Sequence, residues 1–387
     1  MLFFGANVIA NYWLQIPDAE MTLVALSPAI FFVAISSVMR GYFNGRQNIK
    51  ATARSQTIEQ VFKTALTIIL VEIIAVISNV STEWMAGGAT LATTLATMSG
   101  FGYLYLYYKT RSKEIAVEIK STVTYKYERA RTIIRRILVV SIPIALTAIM
   151  SSLNKNIDSF TVVRSLKQFM PEDMALSQYG ILGGKVDTLT SLPLSINVAF
   201  STALVPAISA AKARKDKKTI TEKTSFSLLT SMLIGLPCTI GMCIFAGPIL
   251  NLLFPKASDG TVILQISSLT ILFTILDQTI NGALQGYGKL KIPTISLGIG
   301  VLVKLILNLI LVPIPEIGVN GAAWASVACH AVAFTIAITA LRKNIKLNLT
   351  FSKFVIKPVL ATAIMGICSY FIYLSLLGII SNKLATI

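Results

Sequence analysis

Apolar segments of about twenty residues recur along this chain, and short polar connections separate them; that length matches the hydrocarbon core of a bilayer crossed by a helix. Spans are expected near 22–44, 54–78, 86–108, 135–156, 186–210, 226–253, 262–285, 293–313, 321–341 and 354–380, after a remnant at 1–12. Composition agrees. Of the 387 residues 54% are hydrophobic and only 13% are charged, and the mean hydropathy is +0.73. Soluble chains carry about 25% charged residues. The fold class is therefore an all-α integral membrane protein of about 10–11 spans. Pro143, Pro193, Pro206 and Pro237 fall inside spans, where neighbouring helices or water can satisfy the freed backbone groups.

The net charge of +17 would suit a nucleic-acid binder if it were spread evenly, but it is not. Four basic residues lie between 40 and 54, nine between 109 and 136, six between 212 and 223, two at 289 and 291, and five between 342 and 357. The alternate connections, "IPDAE", "STEWMAG" and "IPEIG", carry acids only. The positive-inside rule places the loops 44–54, 109–134, 211–225, 286–292 and 342–353 in the cytoplasm of a cell (inner, plasma) membrane. The charge is then a topology signal with an attraction for anionic membrane lipids, and no nucleic acid is expected. Cys238, Cys243, Cys329 and Cys368 sit in apolar runs without metal-ligand spacing, so no metal is expected. Met1 opens directly onto "LFFGANVIA", which reads as the tail of a helix rather than a signal peptide.

A shift of 241 residues aligns 4–71 with 245–312 without a gap. Gly41 and Gly45 then fall on Gly282 and Gly286, Lys50 on Lys291, and Lys63 on Lys304. After a longer loop, Glu83, Gly88 and Ala89 fall on Glu316, Gly321 and Ala322. The period contains six helices, an even number, so both copies have the same orientation, as in transporters built from parallel repeats. Four segments are expected: an incomplete first lobe at 1–110, a cytoplasmic basic linker at 111–131, a second six-helix lobe at 132–342, and an additional C-terminal transmembrane helix at 343–387. About 110 residues equivalent to 131–241 have no counterpart, so two helices and part of a third are expected to be missing from an N-terminally truncated first lobe.

"RGYFNGRQNIKATARSQTIEQ" (40–60) resembles the signature of the stage V sporulation protein B and polysaccharide-biosynthesis branch of the multidrug/oligosaccharidyl-lipid/polysaccharide exporter superfamily. "LNKNIDSFTVVRSL", "SLPLSINVAFSTALVPAIS" and "GALQGYGKLKIPT" look like later landmarks of the same branch. The resemblance covers nearly the whole chain. It implies two six-helix lobes around a central cavity. It also implies a flippase that carries a polyprenyl-linked oligosaccharide or cell-wall precursor across a bacterial inner membrane. Alternating access between the two lobes, driven by an ion gradient (proton or sodium) or the membrane potential, is the mechanism expected. Such a task breaks no bond. It needs a wet cavity, cations for a pyrophosphate and donors for sugars. No Walker motif and no long catalytic loop is present, so neither an enzyme nor a cofactor is expected. A cation-coupled multidrug exporter of the same superfamily and a non-transporting membrane scaffold stand as alternatives.

Charges inside spans are the candidate site residues. Asn154, Lys155 and Asp158 are three or four apart and can share one helix face, with Arg164 beyond them. Lys185, Asp187 and Asn197 open the next span. The resemblance sets both helices against the central cavity, as an outer-half headgroup site or outer gate; side chains snorkelling at the interface would give the same pattern. His330, alone in "AWASVACHAVAF", reads as a packed histidine, and "GYFNGRQN" and "GALQGYGK" as tight turns between spans. Lys63 and Lys304 lie roughly 15 Å deep. An isolated ammonium there costs about 2.5–3.5 kcal/mol, so each needs a partner. Glu59, four residues before Lys63, is expected to serve the first, and Asp277, across a hairpin, the second. The topology has a direct check: single cysteines placed in 109–134 or 211–225 of intact cells are expected to escape an impermeant thiol reagent added outside, and labelling there reverses the orientation.

Overall fold

A computed structural model describes residues 2–10, 19–46, 48–77, 82–121, 129–255, 257–347 and 350–384. All regular structure among them is helical. Most of the acidic connection before Ala19, residue 81 of the next one, and residues 122–128 of the basic linker lie outside the described residues. Among the described residues, eight helices are long and apolar enough to cross a membrane. The segments expected at 54–78 and 86–108 also form helices. The chain divides into two compact units, Met1–Tyr127 and Glu128–Ile387.

The first unit contains α1 (Leu2–Val8), α2 (Ala19–Gly45), α3 (Ile49–Ile77) and α4 (Thr82–Ser121). α4 runs through the first half of the stretch expected as a linker. It packs against both α2 and α3, which touch each other much less. Small residues make this possible: Ala92 and Ala96 of α4 are fully buried. Thr94 Oγ1 donates to Ala25 O of α2 at 2.6 Å. Toward the basic end, Phe43, Ala51 and Leu104 form the core, flanked by Met39, Tyr103 and Tyr107.

The second unit contains α5 (Ala130–Leu166), α6 (Glu172–Gly180), a π-helical turn (Ile181–Val186), α7 (Asp187–Ala213), α8 (Lys217–Ile244), α9 (Ala246–Leu253), α10 (Thr261–Gly286), α11 (Lys291–Leu311) and α12 (Val319–Asn344). A second π-helical turn (Ser352–Ile356) leads into α13 (Lys357–Leu384). Where a span at 186–210 was expected, α6, the π turn and α7 form one continuous helix from Glu172 to Ala213. α10 is the central post, packed on α7, α8 and α12. α12 in turn separates α10 from α11, the arrangement that α4 makes between α2 and α3, so the repeat read in the sequence recurs in the packing of each unit. Two apolar cores fill the ends of this unit. One gathers Leu166, Val186, Leu250 and Leu264, the other Ile208, Leu228, Ile280 and Leu341. α13 packs on α8, with Gly366 against Ile240 and Ile244.

Gly282 and Gly286 are helix-packing residues, not turn residues as their setting in "GALQGYGK" suggested. A Cβ on Gly282 would stand 2.6 Å from Ser201 O, and one on Gly286 2.7 Å from Val205 O. This is the close approach that small residues four apart permit between membrane helices, where apolar burial alone does not drive association. The turn itself belongs to Gly288, at φ +83°.

α8 begins with a side-chain cap. Asp216 Oδ1 accepts from Thr219 N at 3.0 Å and Oδ2 from Thr219 Oγ1 at 2.6 Å. These bonds, the hydroxyl first and the amide second, hold the Asp216 carboxyl below the usual carboxylate range. A carboxylate depressed by folding stabilises above its ordinary pKa and loses that contribution as pH falls through the lowered one. Asp216→Ala is expected to speed amide exchange over 217–221 at neutral pH. Once intrinsic rates are corrected for, the wild-type rate should converge on the variant's as the solution is acidified through the carboxylate range.

Candidate functional site

In the second unit α5, α11 and α12 bring together a set of polar side chains within the membrane-crossing length. Lys304 Nζ of α11 donates to Asp158 Oδ2 of α5 at 2.6 Å and to Asn154 O at 2.9 Å. Both side chains of this pair are buried. Asn308, one turn further along α11, donates through Nδ2 to Asp158 Oδ1 and to Thr161 Oγ1, each at 2.9 Å. Both carboxylate oxygens are thereby engaged. From α12, His330 Nε2 lies 3.4 Å from Asn154 Nδ2, and Cys329 Sγ donates to Asn154 Oδ1 at 3.5 Å. Gly300 lets α12 approach, since a Cβ there would be 2.6 Å from Cys329 O.

The expected Asp277–Lys304 pair is therefore corrected: Lys304 is bound to Asp158. The reason is the packing order. α12 lies between α10 and α11, so the buried face of α11 looks toward α12 and α5 rather than toward its hairpin neighbour. Asp277 is buried on α10, where its Oδ2 accepts from Asn281 Nδ2 at 2.8 Å. The Glu59–Lys63 pair is corrected as well. Glu59 Oε2 accepts from Arg40 Nη2 at 2.5 Å, across α2 and α3, while Arg40 Nε donates to Ser55 Oγ at 3.2 Å. Gly100 of α4 makes room, for a Cβ there would meet Glu59 Oε2 at 3.2 Å. Lys63 is exposed.

Asn197, expected to face the transport path, is fully buried. Its Nδ2 donates to Ile275 O at 2.9 Å, to Gln278 Oε1 at 3.1 Å and to Thr279 Oγ1 at 3.2 Å, and its Oδ1 accepts from Ser231 Oγ at 2.8 Å. It ties α7 to α8 and α10, because a membrane helix with a carboxamide at mid-depth is most stable with every polar atom engaged.

The other candidates remain accessible. Lys155 and Arg164 are exposed on α5, and Asp187 is exposed at the start of α7. Asp187 lies within electrostatic range of Asp158, Lys304 and Lys155. Tyr179 of α6 faces Ser159 and the same two carboxylates. Lys185, in the π turn, donates to Ala257 O at 2.6 Å and stands 5.5 Å from the centre of the Phe254 ring. Beyond it lies a recess of about 510 Å³ whose lining includes Gln178, Asn251, Ser258, Asp259 and Asn320. Thus Lys155, Asp158 and Asp187 gather at one place, Lys185 turns toward the α9–α10 connection, and Asn197, Glu59 and Asp277 belong to buried packing. Asn308 and Thr161 were missed, although each repeats the helical spacing that marked its neighbour: Asn308 is four residues after Lys304, and Thr161 three after Asp158.

Long apolar helices, a repeat visible in both units, and a charged, accessible face on α5 and α7 define a multi-pass membrane protein of the transporter class. Two family descriptions match, "Lipid II flippase MurJ" over residues 184–383 and "Polysaccharide biosynthesis protein" over residues 1–212. The chain belongs to the flippase branch of the multidrug/oligosaccharidyl-lipid/polysaccharide exporter superfamily, and it is a multi-pass protein of the bacterial inner membrane. It is 25% identical to stage V sporulation protein B of Bacillus subtilis (strain 168) over 371 residues, 96% of this chain and 70% of that protein. It is 25% identical to the lipid II flippase MurJ of the same organism over 312 residues, 79% of this chain and 57% of that protein. Among solved structures, that of "Lipid II flippase MurJ, inward closed conformation" shares the fold at a TM-score of 0.63 and 18% identity, over 91% of this chain and 68% of the other.

Removing one member of a buried ion pair leaves an uncompensated charge, at a cost of about 3–5 kcal/mol, whereas replacing both with apolar groups is often neutral. Lys304→Met and Asp158→Leu are each expected to lower the thermal unfolding midpoint in detergent more than the double variant does. A double-mutant cycle should show strong coupling between 304 and 158 and little between 304 and 277. Coupling of the opposite pattern would restore the hairpin pairing.

Proposed function

We propose that the protein moves a polyprenyl-linked, anionic glycan precursor from the cytoplasmic to the outer leaflet by alternating access, driven by an ion gradient or the membrane potential. The observation that carries this reading is the division of labour among the charges of the second unit. Lys304, Asp158 and Asn308 are locked together as structure, while Lys155 and Arg164 stay accessible on α5 and Lys185 on the adjoining helix. Accessible cations at membrane depth serve a phosphate that must leave water. The recess beside Lys185 supplies the carboxamides and hydroxyls that a sugar requires. The relatives named for flipping lipid II and for sporulation support a cell-wall substrate. Transport of this kind breaks no bond, so the protein is not an enzyme. Sodium or a proton is the coupling ion this reading calls for.

The test is reconstitution. Proteoliposomes loaded with a fluorescent lipid-linked precursor are expected to expose it to an outer-leaflet quencher in a protein-dependent way. Lys155→Ala, Arg164→Ala and Lys185→Ala should each slow this by about tenfold, as the loss of one charge-assisted hydrogen bond to a phosphate implies, with unchanged amounts of protein in the membrane. Equal rates in all three variants would leave these cations a structural role only.

A further inference from the structure

At the basic end of the second unit, one face of α5 and Lys291 of α11 line an open groove of about 810 Å³ that nothing above employs. Arg131, Arg135 and Lys291 stand at its mouth, with the Thr132 hydroxyl beside them. Its floor is apolar: Ile134, Leu138, Val139 and Ile142 line it, and Pro143 is its deepest lining residue on α5. The three cations are exposed and make no ion pair among the described residues. Past Pro143, Thr147 of α5 meets Thr294 of α11. Both hydroxyls donate to Pro143 O, at 2.9 and 3.0 Å, and lie 2.6 Å from each other.

Depth and charge together specify an occupant. Arg131 stands at the start of α5 and Lys291 at the start of α11, so the cations share one membrane face. From Arg131 to Pro143 the helix rises about 18 Å, close to the roughly 15 Å of hydrocarbon in one leaflet. A ligand with its charge among the cations and a chain along the floor would therefore lie within a single leaflet. Three cations exceed what a singly charged phospholipid neutralises and suit a diphosphate.

We propose that this groove is the cytoplasmic docking site for the prenyl diphosphate portion of the substrate. Arg131, Arg135 and Lys291 bind the diphosphate, and the Ile134–Ile142 face of α5 receives the first isoprene units. The proposal rests on the functional reading above and adds where the substrate is first held. The arginines supply planar forks that match phosphate oxygens, and charge-assisted bonds of this type are the strong ones.

Farnesyl diphosphate is the probe, with binding to the purified full chain followed by native mass spectrometry in a neutral detergent. Wild type is expected to retain the probe. The triple variant Arg131→Gln, Arg135→Gln, Lys291→Gln should weaken retention by at least about tenfold, the loss expected for several charge-assisted hydrogen bonds. Ile142→Trp, which fills the floor and leaves the cations, should weaken it as well. All four positions are exposed, and unchanged thermal midpoints would verify folding. Phosphatidylglycerol should compete poorly, and inorganic pyrophosphate should compete without being affected by Ile142→Trp. Wild type that fails to retain farnesyl diphosphate overturns the proposal, as does a triple variant that binds like wild type or phosphatidylglycerol that displaces the probe as well as the probe displaces itself. Failure of the wider reading looks different: the groove would bind the probe normally while reconstituted protein moves no precursor.

Discussion

A lysine ammonium inside a bilayer must find oxygen, and in the second unit that requirement organises three helices. Lys304 takes a carboxylate and a backbone carbonyl from α5. Asp158, once committed to the lysine, leaves its second oxygen to Asn308, and Asn154, whose carbonyl is used, turns its side chain toward α12. Each step satisfies a polar group that would otherwise be stranded without water. The result is a polar layer between two apolar cores, and α5 is held to α11 by directional bonds rather than by apolar burial, which contributes little between helices in lipid. The asymmetry of α5 follows. One face is fastened to α11, while its most apolar stretch stays unburied within the unit and is free to line a groove.

The two copies of the repeat handle the same constraint with different chemistry. Between α2 and α3 an arginine and a glutamate meet over the glycine of α4; between α10 and α11 no ion pair forms among the described residues, and the glycine lies on α11, pressed against Cys329. Lys63 and Lys304 occupy equivalent places, but the partner of Lys304 comes from α5, a helix with no equivalent among the described residues of the first unit. Equivalence by sequence therefore preserved the helix triplet and not the contacts of its charges.

This explains which parts of the molecule were legible in the sequence. Span positions, the helical class and the repeat follow from local composition and spacing, which a bilayer enforces strongly. The need of Lys304 for a partner was equally legible, because the cost of a bare ammonium is a property of that residue alone. Its identity was not. Asp158 lies 146 residues away, and the short connection between α10 and α11 favoured Asp277 until the intervening position of α12 was known. Asn197 failed for a related reason: a carboxamide at mid-membrane depth reads as cavity-lining unless Ser231 and Thr279 are known to stand opposite it. Lys155, Arg164 and Asp187 stay exposed as charges on the faces of α5 and α7.

The π turn at Ile181–Val186 has a consequence for how the long helix from Glu172 to Ala213 can move. A π turn accommodates one residue more than the α-helical ladder around it, and each residue corresponds to about 100° of rotation. The helix thus contains a local phase shift between its two halves, set beside Gly184, where even a Cβ would meet nothing within 4 Å. If that extra residue were passed along the ladder, the outer half would turn about its own axis like a screw advancing one thread, while α7 kept its glycine-lined seat on α10. Lys185, which lies in the turn and donates to Ala257 O, would then exchange that partner for another.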